Sequence, residues 1–203
     1  MDLFSSNEEI FKVAGCEIEL DRKFLNLESA KSYFEILHNE TPWQQEHINF
    51  MGKISPIPRL TYWYSKENKE YTYAGIKVHP VPYTELIAKL NTIIEEKTGY
   101  EFNSVLLNLY RDGNDAVSWH ADDEKGLGEY VNIASLSLGA ERVFQIRPKE
   151  ADSNGESPIT NIELNSGSLI VMHEPTQKKI LHQIPRRKNI DSPRINLTFR
   201  FIP

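Results

Sequence analysis

The chain of 203 residues carries 39% hydrophobic and 26% charged side chains, an ordinary globular mixture that excludes a disordered tail protein or a fibrous repeat. Its longest apolar run, Leu169-Ile170-Val171-Met172, falls far short of the roughly 20 residues a spanning helix needs, so no membrane association is expected. The net charge of −6 is uneven, with seven basic and one acidic side chain in residues 176–203 and an acidic excess elsewhere, which leaves room for a local polyanion-binding surface.

The segment Met1 to Glu9 has neither a basic start nor an apolar core, so no secretory signal is expected. With Cys16 as the lone cysteine there is no internal disulfide. Both features favour a reducing compartment, the cytoplasm or, in a eukaryote, the nucleus.

Two helices stand out in the first half. Leu27, Ala30, Phe34 and Leu37 recur at helical spacing behind Asn26, a side chain suited to capping. Residues 82–97 repeat the pattern with Leu86, Leu90, Ile93 and Ile94, opening on Pro82 and closing before Gly99. Between them, residues 50–80 read as irregular structure or edge hairpins. After Gly99 the period shortens. Residues 104–110, 131–138, 142–147, 168–172 and 195–201 are short, β-favouring and separated by turn residues, which predicts a sandwich or barrel. Residues 150–161 read as an exposed loop.

The chemistry begins at Trp119-His120-Ala121-Asp122, where an extended backbone sends His120 and Asp122 from one face. His182 follows near the last strand. Two imidazoles and a carboxylate on one side of an iron leave the opposite positions open, the arrangement of non-haem Fe(II) oxygenases. A hydrogen-bonded surface pair is the commoner reading of an isolated His-x-Asp. The last strand discriminates further. Ile195, Leu197, Phe199 and Phe201 alternate with Arg194, Asn196, Thr198 and Arg200, so one face carries two arginines. A solvent-facing edge strand explains that pattern blandly. At about 3.3 Å per residue, however, the two arginine α-carbons lie roughly 20 Å apart, and side chains leaning inward can approach opposite ends of a short dicarboxylate. The planar guanidinium fork suits such an anion. Asn108 and Tyr110, two apart on another strand, can add neutral donors.

These residues carry a family resemblance. The runs Asn108-Leu109-Tyr110-Arg111-Asp112-Gly113, His120-Ala121-Asp122-Asp123-Glu124, Ser135-Leu136-Ser137-Leu138-Gly139, His182 and Arg194 to Arg200 resemble the AlkB family of Fe(II)- and 2-oxoglutarate-dependent dealkylating dioxygenases. The likeness covers about residues 55–203. Pro58-Arg59 and Tyr71-Thr72-Tyr73-Ala74-Gly75 resemble in particular the branch that repairs double-stranded DNA.

The resemblance implies a mainly β fold with flanking helices around a double-stranded β-helix, or jelly roll. It implies one domain over residues 1–203, with 1–55 as an N-terminal helical or lid extension and 100–203 as the jelly-roll core. Iron would be held by His120, Asp122 and His182, and 2-oxoglutarate by Asn108, Tyr110, Arg194, Asn196, Thr198 and Arg200, with O2 as the further co-substrate. The implied reaction couples decarboxylation to succinate with removal of an N-methyl group from a base as formaldehyde, on adducts such as 1-methyladenine and 3-methylcytosine.

A base methylated on its pairing edge costs less to extrude, and a flipped base needs flat surfaces to stack on. Tyr71, Tyr73 and the His120 ring are candidates, with strand packing the plainer reading for the tyrosines. Arg59, Ala74 and Glu124 complete the expected substrate contacts, Glu124 by accepting from an exocyclic amine. Phe50 and Met51 fall where that branch carries an apolar wedge, a device that fills the gap a flipped base leaves. Lys178, Lys179, Arg186, Arg187 and Lys188 bracket His182 in sequence and are candidates for phosphate contact. His38, His47, His79 and His173 read as structural or surface residues.

The expected partner is methylated DNA or RNA, bound by a monomer. The rivals are an oxygenase of the same type acting on a protein or small molecule, a jelly-roll metal-binding module without turnover, and a zinc hydrolase using the same three ligands. A hydrolase has no need of a two-arginine strand.

Overall fold

A computed structural model describes residues 8–50, 52–67, 71–73, 76–78, 81–128, 131–152 and 154–203, with backbone alone at 49, 50, 53, 71–73, 76–78 and 125. In chain order the strands are β1 (Glu8–Val13), β2 (Cys16–Asp21), β3 (His47–Phe50), β4 (Lys53–Pro56), β5 (Leu60–Ser65), β6 (Tyr71–Tyr73), β7 (Ile76–Val78), β8 (Ser104–Tyr110), β9 (Val117–His120), β10 (Ile133–Gly139), β11 (Arg142–Pro148), β12 (Thr160–Leu164), β13 (Leu169–Met172), β14 (Ile180–Ile184) and β15 (Arg194–Arg200). Helices α1 (Leu27–Glu40) and α2 (Glu85–Thr98) precede β3 and β8, and the single turn α3 (Thr176–Lys179) precedes β14.

The strands form a seven-stranded sheet, β1-β2-β13-β10-β15-β8-β5, and a four-stranded sheet, β12-β11-β14-β9. Every ladder is antiparallel among the described strands. β3-β4 and β6-β7 are separate hairpins. This is the expected mainly β architecture with flanking helices, two sheets face to face.

Each face of the large sheet has its own cover. On the outside, α1 and α2 contribute Ala30, Leu37, Ile87, Leu90 and Ile94 to a core with Val105, Leu107, Leu136, Leu138, Ile195, Leu197 and Phe199. Burying one such Leu or Ile is worth about 1.5–3 kcal/mol. On the inside, Ile18, Leu20, Ile133 and Ile170 meet Phe144, Ile146, Ile162 and Ile184 of the small sheet. Alternation along a strand therefore sorts side chains between helix layer and sheet sandwich.

Helix ends follow local chemistry. The Asn26 side chain accepts from the Ser29 N–H at 2.8 Å, capping α1 as expected. α2 begins later than Pro82 suggests, because the Thr84 hydroxyl caps it by accepting from the Ile87 N–H at 3.3 Å. It stops at Gly99, whose φ of 71° sits in the left-handed region that glycine adopts without penalty.

Three expectations need correction. Residues 1–55 are not only a helical extension, since β1 and β2 pair with each other and β2 continues onto β13, widening the large sheet. Their alternation buries Cys16, Ile18 and Leu20. Residues 50–80 supply β5, a full strand on β8, beside the two hairpins. The loop after residue 150 ends at Thr160, where β12 begins. No described helix is long and apolar enough to cross a membrane.

Candidate active site

His120 and His182 are direct partners across β9 and β14. Between this pair and Val117–Ile184 the ladder slips by one residue, a bulge that turns β9 and re-aims its end. The two rings lie 4.2 Å apart between centroids. Asp122 follows β9 on irregular backbone, fixed by its N–H donating to the Gln177 side-chain oxygen at 2.9 Å. Ligand atoms of His120, Asp122 and His182 all fall within 4.8 Å of one another. The metal triad expected from sequence is thus assembled in space.

Protonation suits ligation. The His120 Nδ1 lies 2.8 Å from the Ser118 carbonyl, so as a donor it leaves Nε2 turned toward Asp122 Oδ1 at 3.9 Å. Burial, reinforced by His120, pushes His182 down to about 3, which keeps its imidazole neutral. Burial alone would raise the Asp122 carboxyl, yet Arg200, with help from His182 and His120, holds it well below the usual carboxylate range. Arg200 Nη2 donates to Asp122 Oδ2 at 2.7 Å.

A cleft opens beside the triad between the two sheets. Its far wall is the polar face of β15 with the facing side of β8, and Arg194, Asn196, Thr198, Arg200, Asn108 and Tyr110 all line it. β15 lies between β10 and β8, so the reading of a solvent-facing edge strand is excluded. The Arg194 Nη2 donates to the Ser137 hydroxyl at 2.9 Å, and its guanidinium lies 5.2 Å from the Tyr110 ring. Burial lowers Arg194 to about 10, with Tyr110 opposing and Arg142 adding repulsion. Asn196 donates to the Ser135 hydroxyl at 2.7 Å and accepts from the Thr198 hydroxyl at 3.0 Å.

Orphaned buried atoms test what this cleft can hold. Asp122 Oδ1, His182 Nδ1, and Arg194 Nε and Nη1 are buried without a hydrogen-bond partner. Such groups are costly unless something satisfies them. A carboxylate and two imidazoles at one end fit a divalent cation, and a guanidinium with free donors at the other fits an organic anion.

The expected substrate contacts fare differently. Arg59 lines the same cleft but is buried, its Nε donating to Asn108 Oδ1 at 2.8 Å. Glu124 is half-buried; burial and the nearby Asp122 raise its carboxyl, whose Oε2 has no partner. Met51 and Ala74 lie outside the described residues, as do the side chains of Phe50, Tyr71 and Tyr73. His79 also lies outside them. Lys178, Lys179, Arg186, Arg187 and Lys188 are exposed, Lys178 pairing with Glu174 at 3.0 Å. His173 is tied between the Tyr100 hydroxyl at 2.8 Å and Glu19 at 3.1 Å.

Sequence reasoning missed several supporting groups. Ser135 and Ser137 alternate with Leu136 and Leu138, a pattern that places both hydroxyls on the cleft side and was available to read. Gln177 carries no such signal. Phe144, 5.3 Å from the His182 ring, reads only as core.

Comparison with known proteins agrees with this geometry. Residues 18–200 match the 2OG-Fe(II) oxygenase superfamily. Alpha-ketoglutarate-dependent dioxygenase alkB homolog 3 of Bos taurus is 41% identical over 184 residues, 88% of this chain and 64% of that protein. DNA oxidative demethylase ALKBH2 of Homo sapiens is 35% identical over 189 residues, 91% of this chain and 69% of that protein. The solved structure of OsALKBH1 superposes with a TM-score of 0.61 at 14% identity, covering 90% of this chain and 97% of the other, which establishes the shared fold. The chain belongs to the 2OG-Fe(II) oxygenase superfamily, and within it to the AlkB family.

Proposed function

We propose that this protein removes alkyl groups oxidatively from nucleic-acid bases, using Fe(II), 2-oxoglutarate and O2. The carrying observation is the cleft that joins a His-Asp-His triad at one end to the buried, incompletely satisfied Arg194 at the other. The names of the relatives, a dioxygenase dependent on alpha-ketoglutarate and a DNA oxidative demethylase, support the same reading.

His120, Asp122 and His182 would hold the iron. Arg194, Tyr110, Asn108, Asn196, Thr198 and Arg200 would receive 2-oxoglutarate. Bound there, the metal and co-substrate supply the oxidising power that converts an N-methyl group to an unstable hydroxymethyl. The chain's own part is placement. Arg194 offers two nitrogens to a carboxylate. Arg200 keeps Asp122 ionised and aimed. Phe144 and Ile184 line the cleft with apolar surface against water. Glu124, two residues past Asp122, would accept from the exocyclic amine of an extruded base. Phe50, the last residue of β3, and Met51 are the proposed wedge, and Tyr71 and Tyr73 the proposed stacking surface.

The best substrates on this reading are DNA or RNA carrying 1-methyladenine or 3-methylcytosine. A panel of methylated oligonucleotides, single- and double-stranded, tests it by formaldehyde release. Release that requires 2-oxoglutarate is expected. Methylated oligonucleotides left intact while 2-oxoglutarate is consumed would point instead to a protein or small-molecule substrate.

The chain spans 64% of the length of alkB homolog 3 from Bos taurus.

A further inference from the structure

Arg142 is 2% exposed, among the most deeply buried side chains described, and no feature of the reaction has yet called on it. It opens β11 in the small sheet. Its Nη1 donates to the Asp112 carbonyl at 3.2 Å, and its Nη2 to the carbonyls of Asp115 at 2.8 Å and Pro185 at 2.7 Å. Those carbonyls belong to two crossovers. Residues 111–116 carry the chain from Tyr110 in the large sheet to the strand of His120 in the small one. Residues 185–193 carry it from the strand of His182 back to Arg194 in the large sheet. The crossovers also bond each other, Gly113 N–H to the Ile190 carbonyl and Arg187 N–H to the Gly113 carbonyl, both at 2.7 Å.

The same guanidinium lies 5.4 Å from the centroid of the Tyr110 ring, against which Arg194 also sits at 5.2 Å. Burying a cation here is costly, and the carboxylate of Asp115 is already held by Arg111 through two side-chain bonds and one backbone bond. An apolar side chain would fill the space as well. A planar fork adds something else, a rigid bridge between carbonyls of two segments with a flat face left for an aromatic ring.

We propose that Arg142 is a positioning residue for 2-oxoglutarate: by fastening both crossovers and backing Tyr110, it holds the organic-anion end of the cleft in register with the metal end. The inference rests on the assignment of Tyr110 and Arg194 to 2-oxoglutarate made above.

The test compares the unsubstituted full chain with Arg142→Lys and Arg142→Met. Calorimetric titration measures Mn(II) affinity alone, then 2-oxoglutarate affinity in the presence of Mn(II). Loss of an outer-shell partner that orients a metal ligand typically costs about 10- to 100-fold, and the same scale is taken for a group that orients an anion-binding side chain. Both variants are expected to weaken 2-oxoglutarate binding by about tenfold or more, with Mn(II) affinity held within roughly twofold. KM for 2-oxoglutarate should rise in step while KM for a methylated oligonucleotide stays put. Lysine should not rescue, because an ammonium cannot span three carbonyls and lie flat on a ring. Folded variants that bind 2-oxoglutarate as the unsubstituted chain does overturn the proposal. So do variants lacking a cooperative melt, which would make Arg142 a support of the fold itself. If the unsubstituted chain with Mn(II) gives no 2-oxoglutarate heat, the reading of the cleft fails first and takes this inference with it.

Discussion

Arg200 reaches from the large sheet to Asp122, donating to Oδ2 at 2.7 Å, with both side chains no more than 4% exposed. One nitrogen of an arginine expected at the organic anion is therefore engaged by the carboxylate of the candidate metal triad. Coupling of this kind makes the two ends of the cleft interdependent, and the first prediction turns on it.

Asp122→Ala removes a proposed metal ligand and leaves the Arg200 cation buried without this carboxylate. Breaking a buried pair from one side costs about 3–5 kcal/mol. Urea unfolding of the metal-free protein should show a loss of that size, and the added stability the unsubstituted chain gains from Mn(II) should vanish. Retained formaldehyde release would assign the metal to another residue.

Arg194→Ala should raise the 2-oxoglutarate requirement far more than the oligonucleotide requirement. Hydrogen bonds to a charged group contribute about 1.5–3 kcal/mol, which converts to roughly 10- to 150-fold in KM for 2-oxoglutarate. Equal shifts for both substrates would remove Arg194 from the clamp.

Asp115 governs an acid limb in stability. Burial would raise its carboxyl, but Arg111 holds it below its ordinary value of 3.8. A carboxyl whose folded pKa lies below its unfolded one adds stability above the unfolded value and loses it as pH falls through the folded one. Unfolding free energy should therefore decline in acid more steeply for the unsubstituted chain than for Asp115→Asn, which should also be about 2 kcal/mol less stable at neutral pH. Parallel pH profiles would show that the carboxylate contributes nothing to folding.

Gly113 is where the two crossovers touch. A Cβ built there would overlap the Arg187 carbonyl oxygen and stand 2.6 Å from the carbonyl carbon and 3.0 Å from the Ile190 oxygen, all of them backbone. Gly113→Ala should cost about 3 kcal/mol, the upper range for overpacking, read as a lowered urea midpoint. A cost under about 0.5 kcal/mol would mean the crossovers part easily.

Replacing Lys178 and Arg187 with Gln should weaken oligonucleotide binding and lower the slope of log affinity against log salt by about 1 for each phosphate that is no longer neutralised. An unchanged slope would leave both charges to solvent.

How legible all this was varies by residue, for physical reasons. The residues of β8 declare a strand by an almost unbroken β-favouring run and occupy the range expected. His120 and Asp122 are legible because two-residue spacing is local. His182 is legible only as a second imidazole that completes the pattern, since nothing near it in sequence fixes its distance from β9. On β15 the alternation was correct, but its polar face looks outward unless the second sheet is known to cover it. β1 and β2 hid in plain alternation, Ile18 and Leu20 against Glu17 and Glu19, in an otherwise charged neighbourhood. Arg142 and Gln177 were invisible because their meaning lies in backbone groups from distant segments.

The ligand set divides unequally between layers. Two imidazoles belong to adjacent strands of the small sheet, while the carboxylate rides on irregular chain secured by Arg200 from the opposite one. An ion seated among them would thus be tied to both layers, directly to the small sheet and through Arg200 to the large one. Parting the layers would break the Arg200–Asp122 bond while both imidazoles stay on the small sheet, so the aim of the carboxylate and closure of the two halves are coupled.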